Sequence, residues 1–238
     1  MKTLKFNLSD VNGVIFDLDG VITDTASIHE IAWKNTFDNQ LKNISNKKFA
    51  KDDYLNHIDG KPRLKAIYDY LNFRKIKKTK LLIEIINKEK NDLFLDLIKN
   101  KKIKIYRDSL NLLKEIKKLK IKIAVASSSK NCRFILKKAR LFDMFDFIVD
   151  GSDLENKKIN GKPDPAIFSI AIKKLSLDKN KTIIFEDSPS GIISAVKSGA
   201  KFVIGVARSS NSKELKKAGA NIVVYSIDQI KIIKWAFL

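Results

Sequence analysis

Short apolar runs rich in β-branched residues recur along the chain, and this pattern constrains the fold more than any other feature of the sequence. The runs cover residues 14–16, 121–126, 147–149, 182–185, 201–206 and 222–224. Their apolar residues are continuous rather than alternating, which is typical of strands that are buried on both faces. Such strands occur in parallel sheets that are covered by helices on both sides.

Segments with helical periodicity lie between these runs. They cover residues 109–118, 130–139, 165–175, 190–198 and 212–218. The alternation of strands and helices predicts an α/β fold with a Rossmann-like doubly wound parallel sheet. The length of 238 residues allows such a core together with one small insert.

The part of the chain after the first strand departs from this rhythm. Residues 28–37, 63–71 and 79–97 have helical periodicity, and a turn at Gly60-Lys61-Pro62 interrupts them. Since this part contains no convincing strand, we expect a helical insert. The predicted division is a core domain of residues 1–25 and 100–238, with a small helical domain of residues 26–99.

The net charge of +20 raises the question of nucleic-acid binding. Only six of the 47 basic residues are arginines, and the lysines are spread along the whole chain. The densest basic segment, residues 74–80, contains no aromatic residues that would stack on bases. We therefore expect a solvated basic surface and no nucleic-acid partner. A positive field would still attract phosphorylated small molecules.

Several other classes of protein are disfavoured by composition. The single cysteine, Cys132, excludes an internal disulfide and a cysteine-rich metal site, and it favours a reducing compartment. No apolar run reaches the roughly 18 residues that a transmembrane helix needs. Residues 1–10 lack the apolar segment of a secretory signal. The expectation is a cytoplasmic protein without a membrane partner.

Polar residues follow three of the predicted strands at the point where each strand ends. They are Asp17, Asp19, Ser127, Ser128, Glu186 and Asp187. The carboxyl ends of parallel strands meet at one edge of a sheet, so these side chains should converge there, with Lys162 reaching them from the loop 161–165. Crowded carboxylates repel one another. We therefore expect one Mg²⁺ ion, held by Asp17, Asp19, Glu186 and Asp187.

This combination of residues predicts phosphoryl transfer. Asp17 can attack phosphorus and carry the phosphoryl group as an acyl phosphate. Asp19 can protonate the leaving oxygen and later deprotonate the acceptor. The Lys162 ammonium group and Mg²⁺ offset charge on the transferring group, and Ser127 can donate a hydrogen bond to it.

Four motifs in this order resemble those of the haloacid-dehalogenase-like phosphotransferases. They are Asp17-Leu18-Asp19-Gly20-Val21, Ser127, Lys162-Pro163 and Glu186-Asp187-Ser188. The resemblance spans nearly the whole chain, and the helical insert matches the cap domain of that superfamily. It implies that Asp19, as a second carboxylate, serves phosphate transfer rather than dehalogenation.

Within the superfamily, residues 20–34, 58–63, 90–92 and 127–131 resemble segments of the β-phosphoglucomutase-like family. The resemblance implies that Arg63 grips the non-reacting phosphate, that Lys130 and Asn131 handle substrate phosphate, and that His29 couples the cap to Asp19. The implied substrate-binding set is Thr25, His29, Trp33, Gly60, Lys61, Arg63, Lys90, Ser128, Ser129, Lys130 and Asn131.

The family resemblance also implies a reaction. Asp17 would be phosphorylated by β-glucose 1,6-bisphosphate, which acts as activator, and would then convert β-glucose 1-phosphate to glucose 6-phosphate in a monomeric enzyme. Lys61-Pro62 departs from the small or apolar residues that are common at this point. A Mg²⁺-dependent phosphatase of sugar phosphates or other small phosphomonoesters is therefore the alternative. A basic nucleic-acid-binding protein is a distant third, disfavoured by the intact acidic residues.

Overall fold

A computed structural model describes residues 4–99, 101–208 and 211–233 of the chain. Its strands are β1 (Leu4–Asn7), β2 (Gly13–Phe16), β3 (Lys122–Ala126), β4 (Phe147–Val149), β5 (Thr182–Glu186), β6 (Phe202–Val206), β7 (Ile222–Val224) and β8 (Ile230–Ile233). Its α-helices are α1 (Ala26–Gln40), α2 (Lys51–Asp53), α3 (Arg63–Phe73), α4 (Lys80–Lys99), α5 (Arg107–Lys118), α6 (Cys132–Lys138), α7 (Gly151–Asn156), α8 (Ala166–Lys174), α9 (Pro189–Lys197) and α10 (Ser212–Lys217).

A six-stranded parallel sheet forms the centre of the core, in the order β4-β3-β2-β5-β6-β7. Strand β2 lies between β3 and β5, so that Ile15 pairs with Ala124 on one side and Ile184 on the other. All three side chains are fully buried, as the continuous apolar runs predict. The six predicted strands and the doubly wound α/β fold are confirmed.

Helices α1 to α4 follow β2 in the sequence, and α4 packs against both α1 and α3. We call this helical segment, residues 26–99, the cap; its domain limits stay a prediction. Its interior is aromatic: Phe37 lies 5.2 Å from the ring of Trp33 and 4.4 Å from that of Tyr70. Helix α2 continues into a π-helical turn, Tyr54–Ile58, which the sequence pattern does not predict.

Strands β1 and β8 form a separate two-stranded parallel sheet, which was not predicted. Phe6, Ile230 and Ile232 are buried and attach this small sheet to the main core. Each strand has only four residues, and the two pair across almost the whole length of the chain. A pattern read within a short window therefore misses them.

Helix α7 was also missed, because six residues are too few to show helical periodicity. It begins where the Asp150 carboxylate accepts hydrogen bonds from the N–H groups of Ser152 and Asp153. Among the described residues, no helix is both long enough and apolar enough to cross a membrane.

An ion pair next to the junction of cap and core fixes the last described part of the chain. The Arg208 guanidinium group contacts the two oxygens of buried Asp108 at 2.6 and 2.9 Å. The same carboxylate accepts hydrogen bonds from Ser226 Oγ at 3.0 Å and from the Ile227 N–H at 2.7 Å. The Arg208 side chain also donates to the Val21 carbonyl at 3.3 Å. These contacts join four separate segments of the chain.

We expect Asp108→Asn to lower the free energy of unfolding by about 2 to 3 kcal/mol, because the guanidinium group loses its buried counter-charge. Burial would raise the pKa of Asp108, but the Arg208 and Ile227 hydrogen bonds lower it below its usual value. The stabilisation is therefore present above the ordinary carboxyl pKa and is lost as the pH falls through the lower folded pKa. Urea unfolding of both proteins between pH 3 and 7 tests this.

The exposed Asp143 provides the control, since Asp143→Asn removes the same charge from the surface. Equal unfolding free energies for Asp108→Asn and the wild-type protein at pH 7 would contradict the prediction.

Candidate active site

A cavity of about 760 Å³ lies between the cap and the carboxyl ends of the central strands. The N–H of Asp17 still donates to the Phe185 carbonyl at 2.9 Å, which continues the pairing of β2 with β5 for one residue. The Asp17 side chain thereby stands at the edge of the sheet between β3 and β5. The structure brings the residues at the strand ends together around this cavity, as the sequence predicts.

The buried ammonium group of Lys162 bridges two of these carboxylates. Its Nζ lies 2.5 Å from Asp17 Oδ1 and 2.5 Å from Glu186 Oε1. Burial would lower the pKa of Lys162, but the two carboxylates raise it above its usual value. Burial, together with the charges of Glu186 and Asp19, raises the pKa of Asp17 although Lys162 opposes this. The single positive charge of Lys162 therefore does not neutralise this group of carboxylates.

The carboxylates of Asp17, Glu186 and Asp187 fit a divalent cation. Each offers an oxygen within 4.8 Å of the others. Within the described residues, the Asp187 side chain has no hydrogen bond. Its pKa is raised well above its usual value by burial and by the charges of Asp59 and Glu186. Hard carboxylate oxygens are the ligands that Mg²⁺ prefers, and a 2+ charge would offset this repulsion.

The Asp19 side chain lies outside this group of three carboxylates, and its predicted role as a metal ligand stays a prediction. The chain turns after Leu18, and the N–H of Gly20 donates to the Thr23 carbonyl. This turn directs the Asp19 carboxylate toward α1, where the Thr25 hydroxyl donates to it and Ser127 Oγ lies 3.4 Å away. Burial would raise its pKa, but His29 and Thr25 lower it below its usual value. Asp19 is thus placed as an ionised acceptor.

His29 and Lys90 connect Asp19 to the cap. His29 Nε2 lies 3.6 Å from Asp19 Oδ1, and Nδ1 lies 2.6 Å from the Nζ of Lys90. Lys90 is buried and its ammonium group lies over the rings of Trp33 and Phe94 at 5.1 and 4.9 Å. Burial and the charge of Lys90 lower the pKa of His29 to about 4. The imidazole is therefore neutral near pH 7 and can be oriented by Lys90.

Arg63 and Asn131 meet through an asparagine of the cap. Arg63 donates to the Asn87 carbonyl at 3.1 Å and to Asn91 Oδ1 at 2.9 Å, and Asn131 Nδ2 donates to the same Asn91 oxygen at 3.1 Å. The structure therefore brings these two predicted phosphate contacts to one place in the cavity. Asn87 was not predicted as part of this site, because only its main-chain carbonyl contributes.

Two of the predicted lysines are already paired. Lys61 Nζ contacts Asp69 Oδ2 at 2.9 Å and donates to the His57 carbonyl, so its ammonium group is held on the cap. Lys130 Nζ lies 2.5 Å from Glu155 Oε2 at the margin of the cavity. Neither lysine presents a free charge to a substrate in this state.

The serines after β3 shape their own loop. Ser127 Oγ accepts a hydrogen bond from the Ser129 N–H at 3.1 Å, and Ser129 Oγ accepts one from the Asn131 N–H at 3.2 Å. Ser128 instead donates to the carbonyl of Gly60 in the cap.

Asp59 and Tyr54 line the cavity and were missed in the sequence. Burial and the charge of Glu186 raise the pKa of the Asp59 carboxyl to about 7. Asp59 could have been identified from the sequence, because it is an acidic residue directly before the Gly60-Lys61-Pro62 turn. Tyr54 had no such signal, since it lies in the unpredicted π-helical turn.

The sequence and the fold are both similar to those of known proteins. Residues 14–205 match the sequence model of the family described as Haloacid dehalogenase-like hydrolase. A β-phosphoglucomutase of Bacillus subtilis (strain 168) is 34% identical, over 90% of this chain and 89% of that protein. A phosphorylated carbohydrates phosphatase of Thermotoga maritima is 27% identical, over 94% of this chain and 99% of that protein.

A crystal structure of β-phosphoglucomutase from Clostridium difficile is similar in fold. Its TM-score is 0.77 at 32% sequence identity, and the match covers 92% of each chain. The match of the family model over most of the chain, with these relatives, establishes that the chain belongs to the haloacid dehalogenase-like hydrolase family, in its β-phosphoglucomutase-like group.

Proposed function

We propose that this enzyme transfers the phosphoryl group of a sugar phosphate through a phosphorylated Asp17. The observation that carries the proposal is the buried Lys162 ammonium group, which bridges Glu186 and Asp17. Asp17 in turn lines the cavity between the cap and the core. An unprotonated Asp17 oxygen facing this cavity is a nucleophile for phosphorus. The names of the relatives, which include mutases and a phosphatase of phosphorylated carbohydrates, support the substrate class.

Each residue of the site has its own role in the proposed reaction. Lys162 offsets charge on the phosphoryl oxygens and keeps Asp17 oriented, while Ser127 lies where it can donate to the same oxygens. The ionised Asp19 removes the proton from the acceptor hydroxyl, and the protonated Asp19 then gives it to the leaving oxygen of the next transfer. Bound by Asp17 and Asp187, with Glu186 beside them, Mg²⁺ would supply the positive charge that these carboxylates lack.

The finer proposal is a β-phosphoglucomutase that uses β-glucose 1,6-bisphosphate as activator. Arg63, Asn91 and Asn131 form a polar group away from the acidic residues, and it can receive the second phosphate of a sugar bisphosphate. The cavity volume is within the range of small-molecule sites. The linked residues Lys90, His29 and Asp19 support a base whose position depends on the cap.

A phosphatase of sugar phosphates or other small phosphomonoesters is the second candidate. The pairing of Lys130 with Glu155 favours it, because a competing carboxylate weakens the attraction for a second phosphate. Both candidates are proposed to act as cytoplasmic monomers with one Mg²⁺, and neither requires a nucleic acid or a membrane.

One reaction followed by two readouts distinguishes the candidates. Purified protein is given Mg²⁺, β-glucose 1-phosphate and a trace of β-glucose 1,6-bisphosphate, and both glucose 6-phosphate and inorganic phosphate are measured. We expect glucose 6-phosphate to exceed phosphate by at least about tenfold, because a closed cap excludes water from phosphorylated Asp17. Dominant phosphate release would instead identify the phosphatase, and loss of both products on removal of Mg²⁺ is expected in either case.

Asp17→Asn should abolish turnover, with a loss of at least about 10⁴-fold, since an amide is a very poor nucleophile. The measurement is the formation of both products, with circular dichroism to verify folding. Asp10→Asn, which removes an exposed carboxylate before β2, is the control. Substantial activity of Asp17→Asn would rule out the covalent mechanism.

Arg63→Ala should reduce transfer to the sugar by about 10² to 10³-fold and phosphate release by much less, because only transfer needs a grip on the second phosphate. The ratio of the two products measures this. Lys88→Ala removes the same charge from the exposed face of α4 and should leave the ratio unchanged. Equal losses in both products would mean that Arg63 does not contact the second phosphate.

A further inference from the structure

The cap loop, residues 59–62, contacts three parts of the core, which are the loop after β3, the first turn of α9 and the loop that contains Gly161. Ser128 Oγ, from the loop after β3, donates to the Gly60 carbonyl at 2.9 Å. Ser190 Oγ, in the first turn of α9, donates to the Asp59 carbonyl at 2.9 Å. Two hydroxyl groups of the core thus hold two consecutive carbonyls of the cap, on either side of the predicted reaction centre.

The backbone approach is close at this point. Gly60 has φ of +70°, and a Cβ atom there would lie 2.1 Å from Ser188 Oγ and 2.5 Å from Ser190 Oγ. One turn further, Pro62 packs on Gly161 so tightly that a Cβ on that glycine would lie 2.1 Å from Pro62 Cγ. A larger residue at position 60 or 161 would therefore have to displace the side chains that pack against it.

These two serines differ from the other hydroxyl donors of the core in what they join. Ser198 Oγ donates to the Ala195 carbonyl in its own helix, and Ser194 Oγ donates to the more distant Asp164 carbonyl, but both bonds stay within the core. The bonds from Ser128 and Ser190 cross from core to cap, over sequence separations of 68 and 131 residues. Movement of the cap loop away from the core would break both bonds, so they favour the cap position that the structure shows.

We propose that Ser128 and Ser190 are positioning residues that hold the cap loop closed over Asp17. Helix α3 begins at Arg63, three residues after Gly60. The position of the loop therefore sets the position of Arg63 and of the cap surface that faces a sugar. Ser128 was predicted as a substrate contact, but its hydroxyl group is directed to the cap, so its effect on substrate comes through the loop.

This inference rests on the proposed sugar-phosphate function. It predicts that loss of the two bonds slows the reaction of a substrate that contacts the cap more than that of a substrate that does not. A sugar phosphate fills the space under the cap, whereas acetyl phosphate presents little beyond its phosphoryl group. Loss of the two bonds should penalise the first substrate and spare the second.

The kinetic test compares Ser128→Ala, Ser190→Ala and the double variant, each with Mg²⁺. One hydrogen bond contributes about fivefold, so we expect about fivefold lower kcat/KM for β-glucose 1-phosphate in each single variant and about 25-fold in the double variant. Hydrolysis of acetyl phosphate should change by less than about twofold in all three, since the bonds do not touch the phosphoryl group. Ser198→Ala, which removes a hydroxyl-to-carbonyl bond inside the core, should change neither.

Equal losses for both substrates would overturn the proposal, because they would indicate a general structural role. Unchanged kcat/KM for the sugar phosphate would overturn it as well.

A second measurement decides the matter without catalysis. Cys132 is buried, so spin labels attach selectively to cysteines introduced on the surface by Glu84→Cys in the cap and Lys213→Cys in the core. With inorganic phosphate and Mg²⁺, the distance distribution should be narrow in the wild-type background and should shift to longer distances in the double serine variant. Identical distributions would refute the closing role. If the wild-type protein turned over no sugar phosphate, the proposed function would fail while this result still stood on its own.

Discussion

The ammonium group of Lys162 is the contact on which the arrangement of the site depends. It lies at 2.5 Å from carboxylates that belong to neighbouring strands, Asp17 after β2 and Glu186 at the end of β5. Without it, the sheet would end in unpaired buried carboxylates, which is a costly arrangement in a protein interior. The parallel register of β2 and β5 forces these acids together, and the loop that carries Lys162 offsets part of the resulting repulsion. The remaining negative charge is what makes a divalent cation a suitable partner.

Much of this could be predicted from the sequence because the relevant rules are local. A buried parallel strand is recognisable from its own few residues, and the polar residue that follows it must lie at the shared edge of the sheet. Asp17 and Glu186 were found in this way, whereas Lys162 was placed at this edge from the loop 161–165. The helical character of the cap was equally visible, because three of its segments are long enough to show periodicity.

The remaining features depend on contacts between distant parts of the chain. Strands β1 and β8 stabilise each other across more than two hundred residues, and neither has a distinctive pattern alone. The direction of the Asp19 side chain follows from a turn and from Thr25 and His29, not from its distance to Asp17 in the sequence. The roles of Asn91 and Ser190 likewise come from partners in the opposite part of the molecule. Residue type and spacing do not indicate which distant residues will form such contacts.

The serines that hold the cap loop bond to main-chain carbonyls. A carbonyl is present whatever amino acid occupies the position, so the side chains of Asp59 and Lys61 can be exchanged without removing either bond. In the proposed arrangement, main-chain atoms of this short loop hold the cap closed, and its side-chain atoms are free to determine substrate specificity. In evolution, this separation allows the loop to acquire new substrate preferences while the closing contact persists. One scaffold can in this way give rise to a range of specificities.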